Sequence, residues 1–113
     1  MTGEHTDKHL AEAVESEYDN CVKNHGGFKN YHEAYSVLKE EAEEVAEAFA
    51  VFTNTKKESM YVLWRMIRKD DMEGADEHIE AIYDIAEELV KEGIQVMAVC
   101  RKWNDLLAKE NEV

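Results

Sequence analysis

Acidic side chains sit inside an apolar helix face at two places in this chain, Glu40-Glu41-Ala42-Glu43-Glu44 near the middle and Glu92-Gly93-Ile94-Gln95 toward the end. On a helical wheel of about 100° per residue, Leu38, Ala42, Val45, Phe49 and Phe52 centre the first face, with Glu41 roughly 60° and Glu44 roughly 120° to one side. Leu89, Val96, Cys100 and Leu107 centre the second, and Glu92 and Gln95 fall at about the same two offsets, beside Glu88. Two such sets are placed to face each other across a helix-helix seam. Ionised carboxylates there are costly unless a cation or a proton compensates them. A cluster of hard oxygen ligands selects Mg2+, with Mn2+ as the substitute, over zinc.

The elements that must bring these groups together are helices. The chain has no proline and five glycines, and Ala, Glu, Leu, Lys and Met dominate. The pattern predicts a first helix from Lys8 to Lys23, closed by Asn24-His25-Gly26-Gly27. Asn30 and Glu33 have capping-box form and open a long second helix, Tyr31 to Phe52. Thr53-Asn54-Thr55 reads as a break, and Thr55 with Glu58 as a second capping box that starts a shorter helix to Arg68. From Glu73 or Ala75 to Lys109 one long C-terminal helix follows, with room for a kink. The expected fold is all-α, a four-helix-type bundle in a single domain over 1–113, with 1–7 frayed. At this size, association into a homodimer or homotetramer would help to bury its apolar stripes.

Composition narrows the function. The 26 acidic against 13 basic residues give a formal charge of -13, which argues against partners such as a nucleic-acid backbone or an anionic membrane surface. No apolar run approaches the roughly 20 residues of a membrane span and Met1 to Lys8 has no signal-peptide order, so the expected compartment is the cytoplasm. Cys21 and Cys100 lack metal-ligand spacing and read as buried or incidental thiols. His5, His9 and Glu12 have spacing compatible with zinc, but a solvated terminal turn is the simpler reading.

His25-Gly26, the run His32 to Glu44 and the run Glu87 to Val99 together resemble the MazG-like nucleotide pyrophosphohydrolases of the all-α NTP pyrophosphatase superfamily. The resemblance covers about 75 residues, from the His25 loop to the last helix. That family carries EExxE on one helix and ExxD on a later one, which together hold magnesium. Glu40, Glu41 and Glu44 match the first motif and Glu92 the acid of the second; Gln95 stands where the family has aspartate, and the interval between the motifs is longer than usual. A literal ExxD, Glu73-Gly74-Ala75-Asp76, also occurs, in a turn without apolar surroundings.

The resemblance implies hydrolysis of a nucleoside triphosphate to the monophosphate and pyrophosphate. Magnesium would be held by Glu41, Glu44, Glu92 and Gln95, with Glu40 and Glu41 as the catalytic acids, Glu40 acting as a general base or binding a second ion. Five basic residues cluster in Lys56 to Lys69, of which Arg65, Arg68 and Lys69 are the candidates for the phosphate tail. Tyr35 and Trp103, with Phe28 or Tyr31, are the candidates for the base. The competing expectation is a non-catalytic acidic helical protein that binds a basic partner. A di-iron carboxylate bundle is disfavoured, because Glu-x-x-His is absent.

Overall fold

A computed structural model describes residues 7–111. The described chain is all-helical, in three helices: α1 (Lys8–His25), α2 (Tyr31–Arg68) and α3 (Ala75–Glu110).

Each boundary has a local cause. Asp7, expected to fray, instead caps α1, accepting from the His9 and Leu10 N–H groups at 2.9 and 3.3 Å. Residues 1–6, with His5, lie outside the described part. At the other end the Gly26 N–H closes on the Val22 carbonyl at 2.7 Å, with Gly26 at φ 71°, a left-handed conformation that glycine adopts without a Cβ penalty. Asn30 caps α2 as its spacing predicts, accepting from the Glu33 N–H at 2.9 Å. The Glu33 carboxylate reaches back to the Lys29 N–H at 3.2 Å.

The expected break at Thr53-Asn54-Thr55 does not occur, so two expected helices merge into one of 38 residues, and the described residues form three main helices rather than four. No glycine or proline interrupts Tyr31 to Arg68, and Thr53 turns its hydroxyl inward, donating to the Phe49 carbonyl at 3.0 Å instead of capping a new start. Thr55 is half-buried along the helix. Gly93 does not break α3 either; a Cβ there would meet nothing within 4 Å.

Between α2 and α3 the chain reverses through Lys69 to Gly74, with Asp70 at φ 52° and Gly74 at φ 84°. The Asp71 carboxylate accepts from the Glu73 N–H at 3.1 Å. The result is a long antiparallel hairpin of α2 and α3, with α1 packed on the C-terminal half of α3. Tyr18 donates to Asp105, and the Arg101 guanidinium lies 4.1 Å from the centre of the Tyr18 ring, tying α1 to α3.

The core lies at the three-helix end, where Phe28, Ala34, Val99 and Leu106 pack with Val37, Leu38 and Trp103. Beyond it the hairpin projects alone. The molecule measures 69 × 27 × 24 Å with a radius of gyration of 19.0 Å, against about 13 Å for a compact domain of this length.

Candidate metal centre

Antiparallel packing of α2 on α3 sets the register that builds the site. Glu41 and Glu44, one turn apart on α2, meet Glu92 on α3, and one carboxylate oxygen from each lies within 4.8 Å of the others. All three side chains are half-buried. With its amide oriented to satisfy both ends, Gln95 donates from its nitrogen to Glu41 Oε2 at 3.0 Å and to Glu92 Oε2 at 3.2 Å. Gln95 therefore bridges the two helices and offsets part of the cluster's negative charge.

Gathering these groups changes their acidity. Burial, then the charge of Glu44 and a hydrogen bond with it, and then the charges of Glu92 and Glu40, raise the Glu41 pKa from 4.5 to about 7. Glu92 is also raised, by burial first and then by Glu44 and Glu88. Without a cation, the cluster thus retains a proton near neutrality. The donor set fits a hard divalent ion, since it offers only oxygen ligands and a charge that such an ion would neutralise.

The centre borders a cleft of about 550 Å³ between the three helices, a size typical of small-molecule sites. Glu17, Cys21 and His25 of α1, Phe28 of the loop, Glu33, Val37 and Glu41 of α2 and Gln95, Ala98, Val99 and Lys102 of α3 line it. Lys102 is 6% exposed, and its Nζ lies 4.3 Å from the centre of the Phe28 ring. Sequence reasoning missed this cation. Its signal is the i, i+7 spacing from Gln95 to Lys102, which places both on one face of α3.

The other predicted residues fall differently. Glu40 is exposed and outside the triad, and its charge contributes to the raised Glu41 pKa. Phe28 is buried at the cleft wall. Trp103 packs against the core and stacks on Tyr31, with ring centres 6.5 Å apart. Tyr35 is 61% exposed and does not line the cleft. Arg65 and Lys69 line a separate hollow with Val62, Met66, Asp71 and Glu73, and Arg68 is exposed nearby. Along α2 these cations stand roughly 30–40 Å from Glu44, beyond side-chain reach within one chain. Glu73 and Asp76 belong to that same far end and do not join Glu41.

Comparison with models of known protein families, with curated proteins and with solved structures returned no match.

Proposed function

We propose that the protein is a Mg2+-dependent nucleoside triphosphate pyrophosphohydrolase acting on NTPs or dNTPs, with a role in clearing nucleotide pools. The observation that carries this reading is the convergence of Glu41, Glu44 and Glu92 at a cleft that also holds Lys102.

When bound, Mg2+ (or Mn2+) supplies charge neutralisation at the phosphates and lowers the pKa of water. Glu41, Glu44 and Glu92 are the residues to hold it, and Gln95 orients Glu41 and Glu92 from the side. Lys102, in the same cleft, is the group in this chain suited to pair with a phosphate oxygen, and it replaces Arg65, Arg68 and Lys69 in that role within one chain. Glu40, next to the ligands without being needed as one, retains the role of proton acceptor from the attacking water. Phe28 offers the cleft an aromatic wall for a base.

The experiment is pyrophosphate release from a panel of NTPs and dNTPs with Mg2+. Activity that disappears with EDTA and in Glu41→Gln supports the reading; a folded protein that turns over none of the panel rejects it. The competing function, capture of a basic partner by an acidic helical protein, rests on the net charge of -13 and predicts salt-sensitive binding of basic protein without any stabilisation by Mg2+ plus nucleotide.

A further inference from the structure

The end of the cleft away from the metal centre holds polar groups that the centre does not use. Tyr18 donates to Asp105, and Glu15 approaches Arg101 at 3.9 Å, so Glu17, between them on α1, lies level with residues 101–105 of α3. At a rise of about 1.5 Å per residue, that level is roughly 15 Å along α3 from Glu92. Glu17, Cys21 and His25 recur at every fourth residue and turn one face of α1 into the cleft. Lys102 enters from α3 at the same level. The cleft therefore runs from the carboxylate triad at one end to Glu17 and Lys102 at the other.

Both of these groups lack a charged partner among the described residues. Lys102 is 6% exposed, yet its ammonium forms no ion pair there and rests against the Phe28 ring at 4.3 Å. A cation so buried and without a counter-charge points to a ligand that enters the cleft. Glu17 is half-buried in the α1 wall. The Arg101 guanidinium beside it is taken by Glu15 and by the Tyr18 ring, and Glu17 has neither an ion pair nor a hydrogen bond among the described residues. The Glu33 carboxylate, also in the cleft wall, is committed to the Lys29 N–H. Glu17 is thus the free acceptor at this end.

We infer that Glu17 reads the base, selecting nucleotides whose base carries an exocyclic amino group, those of cytosine, adenine and guanine, over those of uracil and thymine. The inference rests on the triphosphate reading of the metal centre: with the phosphates at Glu41, Glu44 and Glu92, the base lies toward Glu17. An ionised carboxylate only accepts hydrogen bonds. The amino group of cytosine or adenine, or the amino edge of guanine, supplies the donors it needs. Uracil and thymine carry a carbonyl where cytosine has its amino group, which sets oxygen against oxygen and leaves a desolvated carboxylate unpaired. Their ring N–H is no substitute, because it lies between two carbonyl oxygens that repel an approaching carboxylate.

Steady-state hydrolysis by the full chain with Mg2+ tests this, with dCTP set against dUTP and dATP against dITP, since each pair exchanges an amino group for a carbonyl. The expected kcat/KM favours the amino-bearing member by about tenfold or more. Glu17→Gln, whose amide both donates and accepts, brings each ratio to about one. Glu17→Ala lowers kcat/KM for dCTP about tenfold and leaves that for dUTP within about twofold. Each ratio is taken within one protein, so damage to folding or to metal binding cancels from it. Equal turnover within the pairs by the wild type, a preference for dUTP or dITP, or ratios that survive both substitutions overturn the role of Glu17 and leave the hydrolase reading standing. A folded wild type that hydrolyses none of the four overturns this proposal and, if the other nucleotides are inert as well, the hydrolase reading with it.

Discussion

The Gln95 amide nitrogen stands 3.0 Å from Glu41 Oε2, joining the second and third helices beside the cluster of Glu41, Glu44 and Glu92. A glutamine here supplies donors where an aspartate would add a fourth carboxylate. Gln95→Asp is therefore expected to lower the melting temperature of the ion-free protein at pH 8 and to enlarge the increase produced by Mg2+. Gln95→Leu removes the donors without adding charge and should destabilise by about 1–3 kcal/mol. Thermal melts with and without Mg2+ check both; an unchanged Mg2+ response in Gln95→Asp removes the cluster from metal binding.

Glu41 makes stability depend on pH. Its folded pKa, about 7, lies above the ordinary 4.5, so below pH 4.5 both folded and unfolded forms are protonated and no penalty exists. Between about 4.5 and 7 the unfolded chain ionises while the folded one holds its proton, and stability falls as pH rises. The ion-free protein should lose melting temperature across that window, and Glu41→Gln should flatten the loss. Stabilisation by Mg2+ should grow over the same range, because the ion competes with the proton.

Lys102→Met keeps an unbranched apolar stem while deleting the charge that lies over the Phe28 ring. If Lys102 pairs with phosphate, steady-state kinetics should show KM for the triphosphate raised about tenfold or more, with melting temperature changed little. Arg65→Met, about 30 Å from the centre along α2, should leave KM unchanged. Equal effects of the two substitutions would remove Lys102 from that role.

Two substitutions probe the continuity of the long helices. Gly93→Ala adds a Cβ that meets nothing within 4 Å and should stabilise by up to ~1 kcal/mol. Asn54→Ala, at an exposed position inside α2, should add about 0.5 kcal/mol, whereas a helix break at 53–55 would give no gain. Urea unfolding at constant slope measures both.

Helical class and most boundaries were legible from local signals, since Asn30 ahead of Glu33, Gly26 after His25 and the 3.6-residue apolar period act over one or two turns. The misread boundary was also local. Thr53 and Thr55 carry hydroxyls that either cap a new helix or bond back within an existing one, and a continuous seam against α3 favours the second.

Residue spacing by itself determined that Glu41 and Glu44 share one helix face and that Glu92 and Gln95 share another, because the helical repeat fixes angles along one element. Tertiary structure decided that the faces meet, which of their oxygens approach, and that Lys102 rather than Arg65 or Lys69 shares the cleft. Proximity across a seam depends on the register between helices, and that register is set by the packing of Phe28, Ala34, Val99 and Leu106 far apart in the chain, a relation that no local pattern encodes.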